Sequence, residues 1–153
     1  MSSPQVSLEV QFANPALEKI WAEILPSKKI RSWAKAALKQ DAQIVVRLVG
    51  LAESKRLNFD YRQQNHATNI LTFILHESDE TSTLMADLVF CMPVIQREAK
   101  KQDKTIQDHF AHLTIHGVLH AQGFDHEDEL DAQAMESLEV AILKRLKIKD
   151  PYA

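Results

Sequence analysis

The chain has a single cysteine, Cys91, among 153 residues. One cysteine excludes an internal disulfide and cannot build a zinc site from thiolates. Cys91 lies in an apolar run, so we expect it to be a buried structural thiol. No apolar run approaches the ~18 residues that a membrane span needs. The first residues, Met-Ser-Ser-Pro, lack the basic flank and apolar segment of a signal peptide, so we expect a soluble cytoplasmic protein with no membrane partner.

The chain also lacks an overall positive charge, because its net charge is −3. Its length indicates one domain, residues 1–153, with a substantial core. Residues 28–62 nevertheless carry nine basic and three acidic side chains, a local balance of +6. Such a region can hold a polyanion, or it can consist of solvated helix faces, and the sequence favours neither. The basic residues are Lys28, Lys29, Arg31, Lys35, Lys39, Arg47, Lys55, Arg56 and Arg62.

Apolar patterning predicts four strands, at residues 6–12, 44–49, 69–75 and 84–92. Helices join the first strand to the second and the second to the third, which favours parallel pairing of each of these pairs. A polar segment, 77–83, is typical of a hairpin loop between the third and fourth strands. We therefore predict an α+β fold, with a four-stranded mixed sheet covered by helices on both faces.

Helical spacing and end signals predict the helices. Ser27 is predicted to cap the second helix, and Thr105 to cap the fifth. The predicted core face of the last helix consists of Leu130, Ala134, Leu138, Ala141 and Leu146, with Met135 and Ile142 beside it. The predicted helices cover residues 15–25, the segment after Pro26, 52–63 (helical or mixed), 94–102, 106–122, and a last segment from about Glu127.

One stretch near the end of the fifth helix carries most of the chemistry: His116-Gly-Val-Leu-His120-Ala-Gln-Gly123-Phe-Asp-His126. Residues four apart share a helix face, so His116 and His120 can hold one metal ion. Gly123 can adopt the left-handed conformation that ends many helices, and a reversal there would bring His126 toward the other two. Three nitrogen ligands with an open fourth position are typical of catalytic zinc sites.

Histidine pairs also arise by chance, and the chain has 7 histidines. His112 lies four residues before His116, so these two form an alternative ligand pair. We favour His116 and His120 because they lie next to the reversal, and we expect His112 to pack or hydrogen-bond nearby. His109 is expected to lie outside the site.

The His116–His126 stretch resembles the signature of the YbeY family, bacterial metal-dependent endoribonucleases that mature ribosomal RNA. Other blocks agree over about residues 40–152: Leu57-Asn58-x-x-Tyr61-Arg62, Thr68-Asn69-Ile-Leu-Thr-Phe73, Ala86-Asp87-Leu88 and the tail through Asp150-Pro151-Tyr152. Two positions depart from the family pattern. Asn69 replaces a typical Asp, which puts any charge-dependent role of that carboxylate in doubt, and Ala86 replaces a typical Gly.

The resemblance implies an internal cut in single-stranded RNA, in maturation of small-subunit (16S) ribosomal RNA and in ribosome quality control. It implies an rRNA precursor, the small subunit and its assembly factors as partners. It also implies one Zn²⁺ ion on His116, His120 and His126, and Arg62 as a catalytic residue at the active cleft. Imidazoles also accept nickel, copper or iron. We further expect Arg62, and one of Lys55 or Arg56, to face the metal side.

Two rival functions remain open. Zinc peptidases of the metzincin class share the histidine spacing, but they place a general-base Glu where this chain has Gly117. Alternatively, the protein is a non-catalytic ribosome-assembly factor with a structural metal, whose fourth ligand is His112 or Asp125. Asp125 could also orient a ligand imidazole or cap the last helix.

Overall fold

A computed structural model of the chain describes residues 3–76, 83–123 and 129–152. Within these ranges the chain forms four strands and six helices of an α+β fold. The elements, in chain order, are β1 (Val6–Phe12), α1 (Pro15–Trp21), α2 (Ser27–Ala37), β2 (Ala42–Val49), α3 (Leu51–Arg62), β3 (Ile70–His76), β4 (Leu84–Cys91), α4 (Met92–Lys101), α5 (Ile106–Ala121) and α6 (Glu129–Arg145).

The four strands form one mixed sheet in the order β1-β2-β4-β3, which confirms the predicted fold class. β1 and β2 are parallel, as expected, and β2 is also parallel to β4. The prediction that the second and third strands pair in parallel is wrong, because β4 lies between them and β3 runs antiparallel to β4 at the edge. The physical reason is burial: β4 is buried on both faces over its last residues and therefore takes a central position.

The two faces of the sheet have different coverings. One face carries Ile44, Val46, Leu88 and Phe90, which join α2, α5 and α6 in the main hydrophobic core. Phe90 stacks on Phe110 of α5 with ring centroids 4.2 Å apart. The opposite face contributes a smaller apolar cluster, completed by α3 and α4, and it includes the buried Cys91 predicted above. α5 and α3 therefore lie on opposite faces of the sheet.

The ends of α5 follow the sequence signals. Thr105 is the N-cap, and its side chain accepts a hydrogen bond of 3.0 Å from the backbone N–H of Asp108. At the other end, Gly123 has a φ of 103°, and its N–H donates to the carbonyl of His120. This is the glycine-dependent helix end that the sequence predicted.

Two other helix predictions are wrong in detail. α1 ends at Trp21 rather than Leu25, and Pro26 rather than Ser27 occupies the N-cap of α2, without a side-chain cap. In α6 the buried residues are Met135, Glu139, Ile142 and Leu143, whereas Leu130, Ala134 and Ala141 are exposed. A buried helix face needs residues that are three and four positions apart, and positions 135, 139, 142 and 143 meet that spacing. Glu139 can occupy this face because hydrogen bonds compensate its charge.

None of the helices within the described ranges combines the length and apolar character that a membrane crossing requires.

Candidate active site

The last two turns of α5 place His116 and His120 on the wall of an open groove of about 900 Å³. The groove runs along the edge strand β3 and is lined by residues of both of its faces, from Ile70 to Leu75. Arg62 at the end of α3 lines the same groove. Thus the fold brings together both helical histidines and the arginine, although they lie on opposite faces of the sheet.

Gly117 allows α5 to approach the sheet closely. A Cβ at this position would lie 2.8 Å from Cδ1 of Ile70 and 3.3 Å from Cδ2 of Leu88, so the end of the Ile70 side chain would have to shift to admit one. Position 117 therefore faces β3 and β4, where Ile70 also lines the groove. With no side chain, Gly117 cannot supply the general-base carboxylate of a metzincin-like site.

His116 is held by a buried carboxylate, that of Glu139. The Glu139 side chain is fully buried, and its Oε1 accepts a hydrogen bond from Nδ1 of His116. An ionised carboxylate can only accept, so the proton of the imidazole is on Nδ1. Nε2 is then the ring nitrogen that would bind a metal, and a carboxylate on the other nitrogen is the usual partner of a metal-binding histidine.

The same carboxylate has two further donors. Oε2 of Glu139 accepts from Nε2 of His112 at 3.0 Å and from the Tyr152 hydroxyl at 2.6 Å. Burial by itself would raise the pKa of Glu139, but the three hydrogen bonds outweigh it and lower the pKa to about 2. Burial and the same carboxylate raise the pKa of Tyr152. Glu139 is therefore ionised at neutral pH and holds three side chains in a fixed arrangement.

His112 occupies the position expected from the sequence, beside His116 but engaged elsewhere. Its Nε2 donates to Glu139, and its Nδ1 is buried with no hydrogen-bond partner among the described residues. The imidazole therefore belongs to the support of His116.

His109 lies outside the groove lining, one turn before His112. Its Nε2 is 2.9 Å from Oε1 of Glu98, and burial lowers its pKa. Asn69 donates to the same Glu98 oxygen at 3.1 Å. Glu98 already provides a carboxylate in this network, so the uncharged amide of Asn69 can donate a hydrogen bond to it.

The end of α3 that carries Arg62 is fixed to the segment leading into β3. Asn58 is buried, and its side-chain amide donates to the carbonyl of His66 at 2.9 Å. Ser54 exchanges hydrogen bonds of 3.1 Å with the backbone of Thr68. α3 then ends at Gln63, whose φ of 55° is left-handed. These contacts give the sequence block around Asn58 and Arg62 a physical role, because they hold the arginine beside β3.

The groove contains further charged side chains. Arg47 on β2 and Glu53 on α3 form a two-point ion pair, with N–O distances of 2.7 and 3.0 Å. The hydrogen bonds from Arg47 lower the pKa of Glu53. Asp87 on β4 also lines the groove, and burial raises its pKa. Arg62 has no ion pair among the residues that the structure describes.

The predicted basic region does not form one surface. Arg47 and Arg62 line the groove, but Lys55 and Arg56 are not among its lining residues. The lysines of α2 lie on the other face of the sheet, where α2 packs against α5 and β1. Arg62 therefore faces the histidine side of the groove. Neither Lys55 nor Arg56 lines the groove, although one of them was predicted to face that side.

The described residues supply two of the three predicted metal ligands. His126 and Asp125 lie outside the described residues, and within those ranges no group of three or more His, Cys, Asp or Glu side chains has the arrangement of a metal site. The donor chemistry of His116 and His120 nevertheless fits a divalent metal, because the proton on Nδ1 of His116 is already committed to Glu139.

The sequence analysis gave no site role to Arg47, Glu53 and Asp87 in the groove, or to Glu139 and Tyr152 in the support of His116. Asp87 and Arg47 carried a signal, since each is a charged residue within a largely apolar strand. Glu139 lies among several acidic residues of α6, and its burial could not be read from that pattern.

Comparisons with known proteins identify the relatives of this chain. A family model described as "Endoribonuclease YbeY" matches residues 9–147. Proteins named endoribonuclease YbeY include relatives from Acidovorax sp. strain JS42 (47% identical, covering 100% of this chain and 99% of theirs), Polynucleobacter asymbioticus (46%, 99% and 96%) and Aromatoleum aromaticum (49%, 99% and 96%).

A solved structure has the same fold. The solution structure of TM1509 from Thermotoga maritima is 22% identical, covers 95% of each chain and gives a TM-score of 0.53. The family match over most of the chain and the relatives that are 46–49% identical show which family the protein belongs to. The chain belongs to the YbeY family of endoribonucleases.

Proposed function

We propose that the chain is a metal-dependent endoribonuclease that cuts single-stranded RNA internally, in maturation of small-subunit (16S) ribosomal RNA and in ribosome quality control. Its substrate would be an rRNA precursor, met on or near the small subunit and its assembly factors. One observation carries the chemical part of the proposal: a histidine oriented by a buried carboxylate shares a groove with a second histidine and an arginine.

We assign the metal to His116, His120 and His126, and zinc is the ion that this donor set suits best. When bound, the metal supplies Lewis acidity, which activates water at neutral pH and polarises a phosphoryl oxygen. Glu139 keeps the Nδ1 proton of His116 in place, so that Nε2 would be the nitrogen available to hold the ion. Arg62 would donate two parallel hydrogen bonds to the oxygens of the scissile phosphodiester, where negative charge develops.

The rival functions have less support. A peptidase of the metzincin class needs a general-base carboxylate at position 117, where this chain has Gly117. A closed structural site with His112 as its fourth ligand would need a ring nitrogen of His112 directed at the metal. Its Nε2 instead donates to Glu139, which leaves only Nδ1 for such a role, and Nδ1 is buried.

A cleavage assay tests the nuclease. A labelled single-stranded RNA would be incubated with the wild-type chain, His116→Ala, Arg62→Ala and the control Arg56→Ala, which changes an arginine of α3 outside the groove lining. We expect metal-dependent cutting by the wild type and Arg56→Ala, and a loss of about 10²–10³ in rate for Arg62→Ala. Equal cutting by all four proteins would overturn the assignment of the site.

A metal analysis tests the ligands separately. The content of bound metal would be measured in the wild type, in single Ala variants of His116, His120 and His126, and in the control His66→Ala, which changes an exposed histidine. We expect each ligand variant to lose the ion and the control to keep it. Retention of the ion by His126→Ala would remove that residue from the ligand set.

A further inference from the structure

The groove contains an aromatic pair that the proposed chemistry does not use. Tyr61 of α3 is 65% exposed, and its ring meets that of Phe73 on β3 edge to face, with centroids 4.9 Å apart and planes at 68°. Both residues line the groove that holds His116, His120 and Arg62. A ring so exposed contributes little to the core and presents its surface to whatever enters the groove.

The pair is held in place by its surroundings. Phe73 is half-buried in the edge strand, where it packs against the smaller apolar cluster that includes Leu71 and Val89. Tyr61 lies on the turn of α3 that Asn58 anchors to the segment before β3. A rigid aromatic ring loses little conformational freedom when a flat ligand stacks on it.

The charges next to the pair select the kind of ligand. Arg62 follows Tyr61 directly and lines the groove with it, whereas Arg47 in the same groove is paired with Glu53. Cations beside an exposed ring are the combination that binds single-stranded nucleic acid, because phosphates contact the cations while bases stack on the ring. In a duplex the bases are paired and stacked inside, so they cannot reach such a ring.

We propose that Tyr61, supported by Phe73, is a stacking platform for a base of the RNA next to the scissile phosphate, and that it contributes to single-strand preference. This inference rests on the proposed function, since it takes RNA as the ligand. Base stacking depends on the ring and not on the phenol hydroxyl. Tyr61→Phe should therefore bind as the wild type does, whereas Tyr61→Leu keeps the apolar bulk but loses the platform.

Binding without cleavage tests the platform. Full-length protein would be titrated in EDTA with a single-stranded RNA that carries 2-aminopurine, and with an oligonucleotide of the same length whose sugars all lack bases. Phe59→Leu is the matched control, since Phe59 is an aromatic residue of the same helix that is 54% exposed but does not line the groove. Urea unfolding of each variant would establish that it is folded.

We expect Tyr61→Leu to weaken the dissociation constant for the normal RNA about 5- to 30-fold and to lose the quenching of 2-aminopurine. Tyr61→Phe and Phe59→Leu should stay within about twofold of the wild type. On the abasic oligonucleotide, wild type and Tyr61→Leu should bind equally.

Two results would overturn the platform while leaving the nuclease proposal in place: RNA binding by Tyr61→Leu that equals the wild type, or equal wild-type binding of the normal and abasic strands. The second comparison needs no variant, so it decides the question even if Tyr61→Leu fails to fold. A wild-type chain that binds neither strand would instead contradict the proposed function itself.

Discussion

Glu139 is a fully buried acid on an otherwise apolar helix face, and hydrogen bonds from three donor groups stabilise its negative charge there. An isolated buried carboxylate costs several kcal/mol, whereas one with His116, His112 and Tyr152 around it is stabilised in its charged form. The residue therefore couples the packing of α6 to the orientation of His116, the proposed metal ligand on α5.

We predict that Glu139→Gln weakens metal binding by 10- to 100-fold, because an amide no longer requires a proton on Nδ1 of His116. Metal affinity would be measured by competition with a chromogenic chelator. Glu136→Gln is the control, since it removes the same charge from an exposed position of α6. Equal affinities of the two variants would mean that Glu139 has only a structural role.

The packing of α5 against the sheet is the element-scale feature that the site depends on. Gly117 lies between the two histidines in sequence, about 100° around the helix from His116 and about 60° from His120, against Ile70 and Leu88. This glycine lets the helix pack closely on the sheet while His116 and His120 line the groove, with its other side chains in the core.

We predict that Gly117→Glu lowers the free energy of unfolding by about 1–3 kcal/mol, because the end of the Ile70 side chain must shift and a carboxylate enters a buried position. Gly50→Glu should stay within about 1 kcal/mol of the wild type, because a Cβ at position 50 meets nothing within 4 Å. Urea unfolding measures both. A stable, folded Gly117→Glu protein would show that α5 can move away from the sheet.

At the scale of the whole molecule, a net charge of −3 must be reconciled with a polyanionic substrate. The fold does this by distributing charge: Arg47 in the groove is paired with Glu53, and Arg62 lines the same groove with no ion pair among the described residues. The attraction for RNA is therefore local, and the lysines of α2 on the other face do not line this groove.

We predict that Glu53→Gln tightens RNA binding several-fold at low salt, because it leaves the charge of Arg47 uncompensated in the groove. The same change should cost about 0.5–1 kcal/mol of stability at pH 7. The pKa of Glu53 is lowered in the folded chain, so its stabilising effect is present above about pH 4.5 and is lost as the pH falls below that value.

Filter binding and urea unfolding at pH 7 and pH 4 would measure these effects, with Glu18→Gln as a control of equal charge outside the groove. Weaker RNA binding by Glu53→Gln than by Glu18→Gln would contradict this view of the groove.

The sequence by itself determined the elements whose signals are local. The alternation in β1, the cap at Thr105 and the glycine at 123 each depend on a few neighbouring residues, so they could be predicted. The spacing of His116 and His120 follows from helix geometry alone. The role of Arg62 came from a resemblance, and the structure adds that it shares the groove with these histidines.

Only the tertiary structure decided the rest, because it depends on residues far apart in the chain. The insertion of β4 between β2 and β3 reflects a choice among pairing partners that local patterns do not distinguish. Likewise, Glu139 accepts a hydrogen bond from His116, which lies 23 positions earlier in the chain, and the ring of Tyr61 contacts that of Phe73 on the edge strand. A side chain's partners are determined by how the elements pack, so a buried carboxylate and a surface one look alike in sequence until the helices are brought together.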